Sequence, residues 1–271
     1  MYSNFKITAS IVLYNSDAKQ IEQIVSKFTQ FITIFLIDNS PTSALSYLAN
    51  KRHVIYISNS INTGFGSAHN IAINKSINLG SKYHFIINPD VTFESEIIDH
   101  MVHVINEDSS IGMIMPQILN IDGTIQSLPK LLPSPFSIIF RKLKNLRFFF
   151  DDFINNYELR NISKDIVYNT PILSGCFTLL NLSAIKDIGM YDDKYFMYFE
   201  DWDLSRRVHQ KYKTLYYPKI SIVHGYESGA NKSFKLFIIY IKSAIHYFNK
   251  WGWFFDKERK QINSSTLSQF K

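Results

Sequence analysis

Apolar residues in this chain fall first into short runs that each stop at a polar side chain. "ITASIVLYN" (7–15), "ITIFLIDNS" (32–40) and "HVIYISNS" (53–60) read as three buried strands, with a polar, helix-like stretch to about Phe31 between the first two. "NTGFGSAHNIAINKSINLG" (62–80) reads as a turn entering a helix, with Ala68, Ile71, Ala72, Ile77 and Leu79 apolar and Gly80 as its stop. "KYHFIINPDVTF" (82–93) predicts a fourth strand that ends on an acid. A helix over about 94–106 leads to a fifth strand, "IGMIMPQIL", and "NIDGT" (120–124) turns a hairpin.

Strands alternating with helices predict an α/β protein with an open, mostly parallel twisted sheet flanked by helices. Ligands of such sheets bind beyond the carboxyl ends of the strands, where these runs place Asn, Asp and Ser. Residues 1–125 are therefore expected to be a nucleotide-binding half and 126–229 a second half of the same domain. Residues 129–170 break the rhythm with three prolines and a basic, aromatic-rich stretch, the look of a variable insertion or a mobile helix over a site. The rhythm resumes with "PILSGCFTLLNLSAI" (171–185), an acidic segment, and the short runs "TLYYP" and "SIVHGYESG".

Composition sharpens this picture in two places. The 271 residues, 46% hydrophobic and 19% charged, suit a folded protein with a sizeable core, and the one cysteine, Cys176, excludes an internal disulfide. The start of the chain lacks a basic region followed by a long apolar one, and no apolar run is long enough to span a bilayer, so a cytoplasmic protein is expected. The formal charge of +6 is unevenly placed. Residues 230–271 carry Lys232, Lys235, Lys242, Lys250, Lys257, Arg259, Lys260 and Lys271 against Asp256 and Glu258, which is the whole excess. A basic tail on a neutral body suggests an anionic partner, nucleic acid or a membrane surface. Nucleic acid fits less well, because no helix-turn-helix, zinc-ligand or RNA-binding signature accompanies the charge. Phe234, Phe237, Ile238, Ile241, Ile245, Phe248 and Trp251 fall at helical spacing, with Lys235, Lys242, His246 and Asn249 on another face. Such a helix packs its apolar stripe on the domain or lays it in a headgroup region.

Each candidate motif has a plain structural reading beside the chemical one. Asp38 in "LIDNS" suits a ribose or base ligand, but equally an Asx turn. Gly64 and Gly66 would let backbone approach a ligand, although His69 takes the third position of a G-x-G-x-x-G, against a dinucleotide-binding dehydrogenase. Asp90 in "INPDV" offers a hard oxygen to a phosphate-bridging cation, or simply closes a Pro-Asp turn. His224 ends a short apolar run. In "YFMYFEDWDLSRRV", the acids Glu200, Asp201 and Asp203 would favour a helix N-terminus. The aromatic run before them would also bury one, raising its pKa toward that of a useful base.

In order, "SIVLYN", "LIDNS", "NTGFGSAHNIAI", "IINPDV", "SGCFTLLN", "IGMYDDKYFMYFEDWDLSRRV" and "IVHGYES" resemble the family 2 glycosyltransferases. They come nearest to the rhamnosyltransferase-like branch of bacterial O-antigen and surface polysaccharide synthesis. The resemblance runs over about residues 7–229 and implies a GT-A fold, a nucleotide-diphosphate sugar donor and inversion at the anomeric carbon. It places Asn15, Asp38, Asn62, Gly64, Asn70, Asn88, Asp90 and Gly175 beside the donor. Asp90 matches the last acid of the family's Asp-x-Asp motif, with Asn88 in place of the first, and His224 matches a histidine that completes the metal site, so Mg2+ or Mn2+ is expected on Asp90 and His224. Asp201 matches the catalytic base, with Glu200 and Asp203 orienting it or binding acceptor hydroxyls and Asp203 the second choice for base. The same resemblance implies a polyprenyl-diphosphate-linked glycan acceptor and a peripheral place on the inner face of the cytoplasmic membrane. It makes dTDP-rhamnose the first donor, ahead of UDP-hexoses and UDP-N-acetylhexosamines. A nucleotidyltransferase would need a glycine-rich basic loop that "LYNSDAKQ" does not offer. A non-catalytic, membrane-associated nucleotide-binding protein is the other rival.

Overall fold

Strand β1 (Lys6–Leu13) alternates between two environments. Ile7, Ala9, Ile11 and Leu13 enter the main apolar core, while Thr8 and Ser10 point to the opposite face and are equally buried. On that face lies α2 (Phe65–Asn78), and the polar atoms are satisfied across the interface. Thr8 Oγ1 lies 2.7 Å from His84 Nδ1, and Ser10 Oγ lies 2.7 Å from both His84 Nε2 and His69 Nδ1. Burial pushes the His84 imidazole down to about 3 and His69 well below its usual value, so both are neutral structural groups.

The computed structural model describes residues 5–59, 61–142, 149–225 and 233–271. Lys232 of the basic tail, residues 226–229 of "IVHGYESG", Ser60 and residues 143–148 of the insertion lie outside the described residues. In the first half β1 pairs in parallel with β2 (Ile32–Asp38) and β4 (Ser81–Ile87), and β2 with β3 (Val54–Ser58). Helices α1 (Ala18–Ser26), α2 and α3 (Glu96–Glu107) make the connections expected between parallel strands.

The second half makes the sheet mixed. The sheet order is β3-β2-β1-β4-β8-β6-β9-β5, with β7 also on β9. Here β8 (Phe177–Asn181) runs antiparallel between β4 and β6 (Ile111–Leu119), and β9 (Lys213–His224) is parallel to β6. The runs "TLYYP" and "SIVHG" are not two strands but the one strand β9, whose register on β6 slips between Tyr217 and Ser221. Conversely, "KYHFIINPDVTF" is broken by Asn88-Pro89-Asp90 into β4 and the two-residue β5 (Val91–Thr92), which crosses to pair antiparallel with the end of β9. The proline, lacking an N–H, suits this break.

The insertion contributes α4 (Pro135–Lys142) and α5 (Asp151–Tyr157), and β7 (Tyr168–Asn169) edges β9. Helix α6 (Leu182–Ile188) follows β8, and α7 (Glu200–His209) begins on the acidic motif. The tail forms α8 (Phe234–Trp251) and α9 (Lys257–Ser268). Helix α8 packs through only the C-terminal end of the apolar stripe that its sequence suggests, Phe248 and partly Trp251. With Phe248 it buries Tyr240, Ser243, Ala244 and Tyr247, about a third of a turn away, and it leaves Phe234, Phe237, Ile238, Ile241 and Ile245 exposed. Small Ser243 and Ala244 allow close approach to Tyr195, Phe199 and Ile138, which a count of hydrophobic residues does not register.

Candidate active site

Four strand ends, of β1, β2, β4 and β9, and two helix starts, of α2 and α7, supply the candidate residues at the carboxyl edge of the sheet. Asn15 follows β1 in the left-handed region (φ 50), and its N–H donates to Ser40 Oγ at 2.8 Å. Asp38 closes β2, buried, with Oδ1 accepting from Ser40 N–H at 2.8 Å and Oδ2 from Tyr56 O–H at 2.5 Å. Its turn chemistry is therefore real. Burial first, then that bond, raises the Tyr56 phenol to about 12. Asn62 Oδ1 accepts from Gly64 N–H at 2.9 Å and shapes the loop entering α2. Gly64 has φ 88, and a Cβ there would stand 2.1 Å from the Phe196 carbonyl oxygen, so both conformation and space demand glycine. The next residue, Phe65, donates its N–H to that same oxygen at 2.9 Å, tying this loop to the acidic motif. Asn70 is a bracket between α2 and residues 191–193. Its Nδ2 donates to Tyr191 O and Asp193 Oδ1 and its Oδ1 accepts from Tyr191 N–H, so the structure gives its side chain to packing.

Pairing of β5 with the end of β9 sets Val91 opposite His224 and brings Asp90 Oδ1 to 3.3 Å from His224 Nε2, with Asn88 Nδ2 3.2 Å from the same nitrogen. Partial burial draws the Asp90 carboxyl up, but His224 and Asn88 outweigh it and hold the group below its usual value. Gln126 sits behind the histidine. Its Nε2 donates to the His224 carbonyl at 2.9 Å, which turns Oε1 toward Nδ1 at 3.2 Å and favours the proton on that side of the ring. Nε2 is then the ring edge that faces Asp90 and Asn88. Asp90 Oδ1 and Asn88 Oδ1 are both buried without a hydrogen-bond donor. Two orphaned oxygens and a ring nitrogen fit a divalent cation that completes its shell with phosphate oxygens and water. Among the described residues no group of three or more His, Cys, Asp or Glu side chains is arranged to hold a metal alone.

Asp201 lies across a short turn from this pair. Its Oδ2 accepts from Gly175 N–H at 3.3 Å, and the Cys176 carbonyl accepts from Asn88 N–H at 2.8 Å. Residues 175–176 thus link Asp201 to the backbone at Asn88, and the buried Cys176 feels the charge of both Asp201 and Asp90. Burial raises the Asp201 carboxyl to about 6, against the opposing pull of the Gly175 and Trp202 N–H groups. Glu200 is pushed well above its usual value, by burial first and then by Asp201, and its Oε2 has no partner. Burial therefore disfavours the charge on both acids, on Glu200 most strongly, with Asp201 beside it raised to about 6.

The aromatic run explains this placement. Tyr198 and Phe199 both adopt positive φ, 71° and 67°, a conformation costing roughly 1–2 kcal/mol per non-glycine residue. Packing of Phe199 against Trp202, Tyr240 and Tyr247 offsets it, with ring centroids 4.5, 5.2 and 5.6 Å away. Ser243 Oγ donates to the Met197 carbonyl at 2.8 Å. The run is held between the Gly64 loop and α8, and the helix it starts presents Asp201 to the turn at Gly175.

Asp203 has a different environment. It is 0% exposed, with Oδ2 2.9 Å from Arg207 Nε and Oδ1 2.8 Å from both Trp251 Nε1 and Lys250 Nζ. Beside it Arg206, 1% exposed, makes two bonds to Asp256 at 2.8 and 2.9 Å and lies 4.0 Å from the centre of the Trp251 ring. These contacts fasten the tail to α7. The linear pattern gave no signal for Gln126, nor for Lys130. Lys130 is 4% exposed and donates to the Ser127 and Leu128 carbonyls, and burial lowers it to about 7. Its charge acts on Asp201.

No protein-family model matches the chain. It is 22% identical over 204 residues to the low-salt glycan biosynthesis hexosyltransferase Agl10 of Haloferax volcanii, covering 74% of this chain and 62% of that protein. It is 23% identical over 206 residues to the N-acetylglucosaminyl-diphospho-decaprenol L-rhamnosyltransferase of Mycobacterium tuberculosis, covering 71% and 66%. The match thus spans less than two thirds of the length of these curated relatives. Two solved structures share the architecture: GalNAc-T7 with UDP, GalNAc and Mn2+ (TM-score 0.61, 17% identity, 83% of this chain and 44% of that one), and the mannosyltransferase PcManGT of Pyrobaculum calidifontis with GDP-Man and Mn2+ (0.56, 12%, 98% and 74%). The chain has the GT-A glycosyltransferase fold. The mycobacterial relative supports its sequence resemblance to rhamnosyltransferase-like family 2 enzymes, and the haloarchaeal relative is likewise a hexosyltransferase.

Proposed function

We propose that the protein is an inverting glycosyltransferase that moves a sugar from a nucleotide-diphosphate sugar to a hydroxyl of a lipid-linked glycan in surface polysaccharide synthesis. The observation that carries this reading is the Gly175–Cys176 turn, with Asp201 on one side and Asn88 and Asp90 on the other. Asp201 takes the proton of the acceptor hydroxyl as that oxygen attacks the anomeric carbon. The bond from that carbon to the diphosphate oxygen breaks, and its electron pair leaves with the nucleotide. One base suffices for a single displacement, whereas a retaining route would need a nucleophile as well. Asp90 and His224, with Asn88 beside them, would hold Mg2+ or Mn2+, which when bound neutralises charge on the departing diphosphate.

Burial and the neighbouring Asp201 both disfavour a charge on Glu200, which limits negative charge beside the base, and Asp203 positions α7 through the tail. Asn15, Asp38, Asn62 and Gly64 form the donor edge, with the backbone at Gly175 facing the base. The name of the mycobacterial relative supports a polyprenyl-diphosphate-linked acceptor and makes dTDP-rhamnose the first donor to test. UDP-hexoses and UDP-N-acetylhexosamines follow, since GalNAc-T7 holds UDP. Such an acceptor would place the protein peripherally at the inner face of the cytoplasmic membrane, an anionic surface that its basic tail suits. Thermal-shift screening of nucleotide sugars with and without Mn2+ tests the reading. Metal-dependent stabilisation by one nucleotide class supports it, and no stabilisation by any of them removes it.

A further inference from the structure

The exposed part of the apolar stripe of α8 is a feature that the proposed chemistry leaves unexplained. Phe234, Phe237, Ile238, Ile241 and Ile245 line its outer side, Phe234 at 79% exposure. Beyond Gly252, where the chain turns at φ 99, Phe254 and Phe255 are exposed too, the latter at 98%. The exposed Phe136 of α4 joins them, its ring 6.1 Å from that of Phe254. Exposed apolar side chains gathered in this way mark an interaction site.

Charge identifies the partner. Residues 233–255 contain no acid, and exposed Lys235 and Lys242 flank the stripe one helical shoulder away. Among the described residues neither lysine pairs with a carboxylate. A second copy docked through this face about a two-fold axis would set these cations against their own images. Aromatic rings with lysines on the shoulder suit the boundary between acyl chains and anionic headgroups. Among the described residues no helix is long and apolar enough to cross a membrane, so the geometry is that of a helix lying in the surface.

We propose that the outer stripe of α8, with Phe254, Phe255 and Phe136, inserts into the interface of an anionic bilayer. This deepens the lipid-linked-acceptor reading and rests on it for its purpose. The tail is then more than an electrostatic tether. Helix α8 grips the Tyr195–Phe199 segment and Asp203 with one face while it enters lipid with another, so the catalytic helix is held at a fixed height above the surface.

The test is co-sedimentation of the full-length protein with vesicles of equal parts phosphatidylglycerol and phosphatidylcholine, at low and high salt. The native protein binds and retains binding at high salt. The double variants F254S/F255S and I238S/I241S each lose at least about tenfold in partition, as expected when two buried apolar side chains become polar. K235Q/K242Q binds more weakly than native protein at low salt and equally well at high salt. All three keep the native melting temperature and the native rate on a water-soluble acceptor, which separates this proposal from the enzymatic reading. Native partition by both serine variants overturns it. So does a native protein that ignores vesicles and elutes as a dimer which I238S/I241S converts to monomer, because the face then belongs to a second copy.

Discussion

Asp203→Asn separates the two acids of α7 that either chemistry or packing would claim. Asparagine keeps the shape of Asp203 but removes the charge facing Arg207 and Lys250, and its NH2 group confronts donors where an oxygen accepted from Arg207 or from Trp251. All of this occurs at a fully buried site. Breaking a buried ion pair at one partner costs about 3–5 kcal/mol, because the surviving charges stay desolvated. Lys250 is partly exposed and also reaches Asp192 at 3.0 Å, which tempers the loss, so about 3 kcal/mol is expected. For a chain of this length that corresponds to a melting temperature roughly 6–12 °C lower. Turnover per folded molecule, measured well below the transition, should stay within about tenfold of native, since no atom of Asp203 reaches the cleft. D201N should behave in the opposite way: about 10²–10⁴-fold slower, the usual worth of a general base, with a melting temperature at or above native. Differential scanning calorimetry beside initial rates reads both effects. A D203N protein of native stability and negligible turnover would refute the assignment and make Asp203 the base.

Three further outcomes follow from the same geometry. With Asp201 raised to about 6, kcat/KM should climb about tenfold per pH unit below that value and level off above it, as a base requires its ionised form. The same shift acts against stability. The fold holds this proton more tightly than the unfolded chain does, so its contribution is favourable below the unfolded value of 3.8 and is lost as pH rises to about 6. D201N should flatten both dependences. Gly64→Ala places a methyl group 2.1 Å from the Phe196 oxygen at a backbone angle alanine resists, so it should weaken donor binding in titration calorimetry and lower the melting temperature. Gln126→Leu frees the His224 ring to turn and should cost about 10–100-fold in Mn2+ affinity, read by the same method.

The first half of the fold is legible because local pattern and tertiary role coincide there. Strands β1, β2 and β3 are apolar runs bounded by turn residues, and α2 begins just after its predicted glycine turn. The second half is less legible for identifiable reasons. Nothing local to Phe177–Asn181 says that it will run antiparallel between β4 and β6, since a fully buried strand reads the same in either direction. The slip in β9 at 218–220 looks like a loop, and Pro218 reinforces that impression. The stripe of α8 misleads because small Ser243 and Ala244, not the most hydrophobic side chains, set where the helix packs. At the site, Asp90, Asp201 and His224 were visible as strand-end and helix-start residues. Gln126 and Lys130 were not, because their roles arise only when a loop folds back beneath residues about 70 or more positions away.

The most direct measurement compares D90N and D201N for dTDP-rhamnose binding and for single turnover with Mn2+ present, extended to UDP- and GDP-sugars if native protein prefers them. D90N should lose the metal-dependent part of donor affinity. D201N should bind donor as native protein does yet transfer it about 10²–10⁴-fold more slowly, with a rate that no longer rises through pH 6. Native turnover by D201N, or metal-dependent donor binding that survives D90N unchanged, would contradict a cation clamp at Asp90 facing a base at Asp201.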